Sequence, residues 1–309
     1  MITIAVTSPS FSTHPDLARR ITEHFPGTKL NLTKTRYQGD ALIEYLRGVD
    51  GAIIGLEKIT DEVLQQLPDL KIISKYGVGL NNLDQEACEQ HGVEIGWTGG
   101  TNKLSVAELT VGNMIVLSRN IYRTANQLKQ GIWNKNGGRQ LSGKTVGIIG
   151  LGFIGKEVVR LLQPFGCRIL VNDLLDQKEY YEKYGLEDVD KETLMRESDI
   201  VTLHVPFDDS TENLIDADAL ARMKPSAILI NSARGGIVDE DALRAALLGG
   251  VIAGAAIDAY VEEPPTDHDL LSIENLICTP HIGGNAEEAV LNMGNSAIDH
   301  LIEFFKKED

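Results

Sequence analysis

A short β-branched run followed at once by three glycines at fixed spacing constrains this chain more than any other stretch. Thr145-Val-Gly-Ile-Ile-Gly150-Leu-Gly152-Phe-Ile-Gly155 reads as strand, Gly-x-Gly-x-x-Gly, helix. Val146 to Ile149 has the character of a parallel strand buried on both faces, and Val158, Val159, Leu161 and Leu162 follow at helical spacing. Gly150 permits the tight turn, Gly152 lets a pyrophosphate approach the backbone, and Gly155 lets the helix pack on the strand. The helix N-terminus offers free N–H groups to the anion. An ordinary strand–helix turn also carries glycines. What goes beyond it is a second strand, Arg168-Ile-Leu-Val171, ending in Asn172-Asp173. Asp173 lies 18 residues past Gly155 (173 − 155), where a dinucleotide fold places the carboxylate that holds the adenosine ribose hydroxyls. Leu174-Leu175 follows, with no cation to receive a 2′-phosphate, so the expected cofactor is NAD and not NADP.

The chain of 309 residues is long enough for two domains. Its formal net charge of −16 argues against nucleic acid or an anionic membrane as partner, because both need a basic face. Cys88, Cys167 and Cys278 are odd in number, widely spaced and set among apolar residues. They read as reduced core residues of a cytoplasmic protein, not as disulfides or a metal set. No histidine-rich or cysteine-pair spacing points to a metal. The N-terminal Met-Ile-Thr-Ile-Ala-Val reads as a strand, not a signal peptide, and no apolar run approaches the length of a membrane span.

Residues 1–98 alternate strand and helix, with strands predicted at 2–6, 29–32, 51–54, 70–74 and 93–95, a pattern that implies a parallel sheet. Such sheets bind ligands at the carboxyl ends of their strands. The Gly77-Val78-Gly79 turn is therefore a candidate anion contact through backbone N–H groups, although a plain turn explains it equally well. Trp97-Thr-Gly-Gly-Thr-Asn102 crosses towards Ser105-Val-Ala-Glu108, which reads as a capping box. The helix predicted over 106–117 is apolar on nearly every face, so it must be buried all round, within the monomer or against a second copy. Residues 121–141 read as polar, with Trp133 exposed or docked, and residues 174–190 read as irregular. Strands at 199–204, 227–230, 253–257 and 276–278 continue the alternation. The last helix, 287–306, is expected to return to the first domain. The predicted architecture is α/β: two doubly wound parallel-sheet domains, residues 1–98 plus 285–309 and residues 99–284.

Three charged side chains stand just past the carboxyl ends of successive strands: Arg234, Glu263 and His281. Singly they read as a surface charge, a solvated acid and a loop histidine. Together, beside a nicotinamide, they match one chemical need. Hydride transfer at a hydroxyl carbon requires a base for the hydroxyl proton and an acid for the reverse step, and histidine suits both near neutrality. A neighbouring carboxylate favours its imidazolium form. Arginine clamps a substrate carboxylate with two hydrogen bonds and polarises the adjacent carbonyl.

Over nearly its whole length the chain resembles the D-isomer-specific 2-hydroxyacid dehydrogenases, most closely the phosphoglycerate dehydrogenase branch. The residues that carry the resemblance are Lys75-Tyr-Gly-Val-Gly-Leu-Asn-Asn-Leu-Asp84, Ser105-Val-Ala-Glu-Leu109, Gly150-Leu-Gly-Phe-Ile-Gly155, His204-Val-Pro206, Asn231-Ser-Ala-Arg-Gly-Gly236, Asp258-Ala-Tyr-Val-Glu-Glu-Pro-Pro265 and Thr279-Pro-His-Ile-Gly-Gly284. The resemblance implies a flavodoxin-like substrate domain, an inserted Rossmann NAD domain and a homodimer, expected through the 104–118 helix region. It implies that Arg234 binds substrate, that His281 is the acid/base and that Glu263 is its partner. It implies that Asp258 holds the nicotinamide carboxamide and that Val78 and Gly79 meet substrate or cofactor through the backbone. Phe153, Ile154, Asp173, Val205, Ser232, Ala233, Gly283 and Gly284 fall where that family contacts NAD. The expected cofactor site also takes in Gly150, Gly152, Gly155, His204, Pro206 and Thr211, and the expected substrate site takes in Asn102.

The chain departs from the resemblance in one place that bears on substrate. The phosphoglycerate branch often carries an arginine near Gly55 to meet the substrate phosphate, whereas this chain has Ile54-Gly55-Leu56-Glu57. Lys58, Lys75 or Lys103 is left to serve, or the substrate lacks a phosphate. The chain ends at Asp309, so a C-terminal regulatory domain and inhibition by serine are not expected. The leading expectation is NAD-dependent interconversion of D-3-phosphoglycerate and 3-phosphohydroxypyruvate. A glyoxylate or hydroxypyruvate reductase is the alternative with the same chemistry. A catalytically silent NAD-sensing scaffold is the remote one, since the resemblance extends to transcriptional corepressors of this fold.

Overall fold

The computed structural model describes residues 1–308. The chain forms two compact units: Met1–Asn102 together with the residues from Asn285 onward, and Lys103–Gly284. In the first unit, β1 (Ile4–Val6), β2 (Lys29–Leu30), β3 (Gly51–Ile54), β4 (Ile72–Lys75) and β5 (Glu94–Gly96) run parallel in the order β2-β1-β3-β4-β5. That is the flavodoxin-like order, which reverses direction between β1 and β3. The central strands β1 and β3 are covered on both faces and carry no polar side chain. Ala5, Ala52, Ile54 and Ile73 enter one core layer, and Ile4, Val6, Ile53 and Ile72 enter the other. β2 stops two residues short of the predicted strand. At Asn31 the backbone N–H turns to Ser12 Oγ (3.0 Å) and the side chain donates to Thr7 O (2.6 Å), which draws the chain out of the ladder.

The Glu287–Glu308 helix closes one face of this sheet with Ala297, Ile298 and Leu301. Ser74 Oγ donates to Ala297 O at 2.7 Å, and Arg20 Nη1 donates to Asn295 Oδ1 at 2.8 Å. At Gly96 a Cβ would lie 2.6 Å from His300 Cβ, so the close approach of helix and strand requires glycine there.

In the second unit, β6 (Thr145–Ile149), β7 (Arg168–Asn172), β8 (Glu187–Asp188), β9 (Ile200–Leu203), β10 (Ile228–Asn231), β11 (Gly254–Ile257) and β12 (Leu276–Cys278) form one parallel sheet ordered β12-β11-β10-β9-β6-β7-β8. This is the Rossmann order with one further strand at the β12 edge. Val146, Ile148, Ile169, Val171 and Ile230 face one core layer, and Leu170, Val201, Leu203, Leu229 and Ile257 face the other. No helix among the described residues is long and apolar enough to cross a membrane.

Three local expectations need correction. The apolar helix runs Lys103–Ser118, beginning before Ser105. Ser105 is therefore not a capping residue; its hydroxyl donates to Gly283 O instead. Its neighbours Val106, Ala107, Val111 and Met114 are buried, but Leu104 is exposed. Residues 174–190 are not irregular: they hold the Lys178–Tyr184 helix, stopped by Gly185 at φ +65°, and then β8. The polar stretch after residue 120 begins with the Ile121–Lys129 helix, which buries nothing within the unit. Its amphipathic spacing was masked by a charged and amide-rich composition.

Candidate active site

The carboxyl edge of the second sheet gathers most of the residues singled out above, because every loop that follows a parallel strand emerges there. The order of strands reverses between β6 and β9, and Gly150 and His204 meet at that point. Gly150 has φ +92°, and a Cβ on it would come within 2.6 Å of His204 O. Gly155 is also required by packing, since its Cβ would lie 2.2 Å from Gly150 O. Gly152 differs: a Cβ there would meet no protein atom within 4 Å. Packing within the fold does not demand this glycine. Gly152 is also the N-cap of the Phe153–Leu162 helix and supplies no side-chain cap, which leaves the first N–H groups suited to an anion.

Asp173 stands at the end of β7. Its carboxylate accepts from Leu151 N, and from Leu175 N at 2.8 Å. It thus braces the glycine turn while remaining at the strand's tip. Around it Phe153, Leu174 and Leu175 are exposed, Leu174 almost completely (97%), an apolar rim that suits the flat face of an adenine. Five side-chain polar atoms among the described residues are buried without a partner, and three belong to the expected ligand sites: His204 Nδ1, Ser232 Oγ and Asn102 Oδ1. Buried polar groups are ordinarily paired, so these three atoms stand out at the expected sites. Burial pushes the His204 imidazole down to about 3, which keeps it neutral, with Nε2 3.1 Å from Thr202 Oγ1. Thr211 behaves otherwise. Its hydroxyl donates to Pro206 O and accepts from Asp208 N, both at 2.8 Å. It shapes the Val205–Pro206 loop from behind.

The charged residues come from the loops after β10, β11 and β12. Asn231 at the tip of β10 folds the next loop by accepting from Ala233 N (3.1 Å) and donating to Arg234 O (2.9 Å). Arg234 is half-buried and lies within the electrostatic reach of Glu263. Burial pulls its ionisation downward and Glu263 opposes that. The turn is tight: a Cβ on Gly235 would sit 1.9 Å from Tyr260 O.

Asp258, 1% exposed, uses both carboxylate oxygens on the β12 loop. Oδ1 accepts from Thr279 Oγ1 (2.6 Å) and Ile282 N (2.8 Å), and Oδ2 accepts from Gly283 N (2.7 Å). The residue inside this clamp is His281, held at φ +52°, a left-handed conformation uncommon outside glycine. Its Nδ1 lies 2.8 and 2.9 Å from the two oxygens of Glu263. Glu263 Oε1 also accepts from Tyr260 N at 3.1 Å, and Tyr260 Oη donates to Thr279 O at 2.9 Å. Tyr260, Thr279 and Thr202 were not anticipated as parts of the site. All three lie inside or beside the quoted motifs, but nothing in a linear sequence says which hydroxyl faces which loop.

In the first unit, Val78 and Gly79 follow β4 at the carboxyl edge of that sheet, where Trp97 Nε1 donates to Val78 O at 3.1 Å. Asn102 is buried just before the second unit begins.

A doubly wound sheet with an open glycine turn, a ribose-type carboxylate and a histidine–carboxylate pair defines a nucleotide-dependent dehydrogenase domain. Comparison with known proteins agrees. Residues 111–283 match the model of the D-isomer specific 2-hydroxyacid dehydrogenase, NAD binding domain. The chain is 36% identical over 281 residues to a hydroxypyruvate reductase of Thermotoga maritima, covering 89% of this chain and 91% of that one. It is 37% identical over 312 residues to a D-3-phosphoglycerate dehydrogenase of Methanocaldococcus jannaschii, with all of this chain matched to 58% of that relative's length. Among solved structures, a glyoxylate reductase from Paecilomyes thermophila superposes with a TM-score of 0.87 at 25% identity, covering 100% of this chain and 96% of that one. The chain belongs to the D-isomer specific 2-hydroxyacid dehydrogenase family, a family of NAD-dependent oxidoreductases.

Proposed function

We propose that the chain interconverts a D-2-hydroxy acid and its 2-keto acid, with His281, Glu263 and Arg234 as its catalytic residues. The observation that supports this most directly is the bond between His281 Nδ1 and Glu263. A carboxylate only accepts hydrogen bonds, so Nδ1 carries the proton and donates it. Nε2 is thereby left as the atom that takes the substrate's hydroxyl proton and returns it in the reverse direction. Arg234 holds the substrate carboxylate in a two-pronged grip. When bound, a nicotinamide dinucleotide would supply the hydride acceptor for C2 of the hydroxy acid, or in its reduced form the hydride donor for C2 of the keto acid. Gly150, Gly152, Phe153 and Ile154 would hold its pyrophosphate, and Gly155 lets the helix that follows pack close to Gly150. Asp173 takes the adenosine ribose. Ser232, Ala233, His204, Val205 and Pro206, with Gly283 and Gly284, line the remainder. Asp258 acts mainly by fixing the histidine loop, because its oxygens already serve three donors from that loop.

The test is turnover of a panel of 2-keto acids with NADH before and after His281→Ala. Unchanged turnover in the variant would refute the assignment. Two substrate groups satisfy this chemistry, 3-phosphohydroxypyruvate and small unphosphorylated keto acids such as glyoxylate and hydroxypyruvate. We further infer a homodimer through the 104–118 region. Leu104, Ile121, Tyr122, Leu128, Ile132 and Trp133 are exposed, Trp133 by 77%. Beside Tyr122 a cavity of about 450 Å³ opens at the amino edge of the second sheet, opposite the candidate active site. Light scattering that returned the mass of one chain would remove this inference.

A further inference from the structure

We propose that Tyr260 is a positioning residue for proton transfer, one that keeps the His281 ring and the Glu263 carboxylate in register by holding each partner with a different end. The inference rests on the reaction proposed above and deepens one part of it, the alignment of its acid/base.

The pair needs such an anchor. The side chains of His281 and Glu263 are 45% and 39% exposed, so solvent screens their attraction, and an exposed pair does little to fix its own geometry. His281 also sits at φ +52°, a conformation that persists only where its surroundings over-determine it. Asp258 supplies part of that constraint, but its donors Thr279 Oγ1, Ile282 N and Gly283 N all belong to the histidine loop. Register with Glu263 requires a contact that reaches both loops.

Tyr260 makes that contact. Its backbone N–H donates to Glu263 Oε1 at 3.1 Å, and the same oxygen lies 2.8 Å from His281 Nδ1. At the other end its hydroxyl donates to Thr279 O at 2.9 Å. That carbonyl also accepts from His281 N at 2.9 Å. One residue thus meets both the oxygen that receives the imidazole and the carbonyl that seats the histidine backbone.

The tyrosine is itself held firmly. It is buried, with its ring in the core of the second unit, and the next N–H, Val261 N, donates to Glu240 Oε1 at 2.8 Å. Its carbonyl presses on Gly235, beside Arg234, at the close approach described above. The loops that carry Arg234, Glu263 and His281 therefore meet at this residue. Burial, and after it the neighbouring Cys278, raises the pKa of the phenol, so the hydroxyl remains a donor at neutral pH. A tyrosine that merely fills a core needs one acceptor for its hydroxyl. Tyr260 is set apart because that acceptor and its own N–H lead to the two halves of one acid/base pair.

The experiment compares the wild type, Tyr260→Phe, Glu263→Ala and the double variant. Each is assayed with NADH and whichever of glyoxylate, hydroxypyruvate and 3-phosphohydroxypyruvate the wild type reduces fastest. Phenylalanine keeps the ring, and Thr279 O keeps the His281 N–H as a donor, so Tyr260→Phe should melt close to the wild type. Its kcat should fall about tenfold while KM and the Kd for NADH stay within about twofold, as when alignment is lost only in the transition state. In the Glu263→Ala background the same substitution should change kcat by less than about twofold, because residues acting through one pair are not additive. Unchanged kcat in Tyr260→Phe, or an equal further loss in the Glu263→Ala background, overturns the proposal. So does a Tyr260→Phe protein that melts well below the wild type, since its lost activity would then report lost packing. The dehydrogenase reading survives each of these results as long as His281→Ala is slow. No turnover of any of the three acids by the wild type overturns both.

Discussion

His281 reaches both oxygens of Glu263 from a backbone at φ +52°. The pair comes from loops that follow neighbouring strands, β11 and β12, and the left-handed residue is what aims one ring at the other loop's carboxylate. That geometry gives each partner a different expected phenotype.

Replacing His281 with alanine removes the proton-transfer group and leaves the glycine turn and Asp173 untouched. We expect kcat to fall about 10²–10⁴-fold, while the Kd for NADH, followed by fluorescence titration, changes little. Glu263→Gln keeps the shape but loses the charge, so its kcat loss should be smaller. A Glu263→Gln enzyme as slow as His281→Ala would mean that the carboxylate does more than orient the ring.

Asp258 holds three donors of the His281 loop, of which Gly283 N is fully buried. Asp258→Ala leaves Thr279 Oγ1, Ile282 N and Gly283 N without their acceptor, so unfolding free energy should drop by about 3 kcal/mol and kcat should fall with it. Thr279→Val removes one of the three bonds and should show a fraction of both effects. Urea unfolding of Asp258→Ala superimposable on the wild type would contradict the clamp.

Two glycines of the same fingerprint should part company. Gly155→Ala drives a Cβ into Gly150 O and should cost stability by about 1–3 kcal/mol. Gly152→Ala meets open space at φ −78°, so the ligand-free protein should melt as the wild type does. Its KM for NAD should nevertheless rise about tenfold or more, because the added methyl stands where the pyrophosphate approaches. Equal melting of the two variants would remove the distinction.

Asp173 ends β7 with no cation in Leu174-Leu175. NAD should be favoured over NADP by on the order of 100-fold, as like charge is costly beside a 2′-phosphate, and Asp173→Ser should erode that ratio. Comparable kcat/KM values for the two cofactors in the wild type would show that the carboxylate is not near the ribose.

Asp199 joins the starts of two strands, accepting from Thr145 N at 3.0 Å and from Lys224 Nζ at 2.9 Å. Burial alone would raise its pKa, but Lys224 and the Thr145 N–H outweigh that and hold it below the ordinary carboxylate value. The folded pKa is therefore the lower one. The stabilisation is present above the unfolded-state pKa and is lost as pH falls through the folded-state pKa. Asp199→Asn should cost about 1 kcal/mol at pH 7, discounted for partial exposure, and progressively less below pH 4. A penalty independent of pH would show that charge plays no part.

The linear sequence determined what local pattern determines. Apolar runs of strand length flanked by glycine and polar turns gave the alternation of strand and helix, and hence two parallel sheets. Fixed spacing gave the glycine turn and Asp173, because a short strand–helix–strand unit returns the end of β7 beside the end of β6. His281, Glu263 and Arg234 could be named because they follow strands that a parallel sheet points the same way. Tertiary structure decided what depends on distant segments meeting. It turned the Ser105 hydroxyl onto Gly283 instead of its own helix end, and it engaged Asp258 with the histidine loop. It bound the Thr211 hydroxyl into its own turn, and it brought Lys75 and Asn82 onto Gly55 O. A side chain's chemistry is written in its residue type, but which donor reaches which acceptor is set by loop paths of many residues, and no periodicity encodes those.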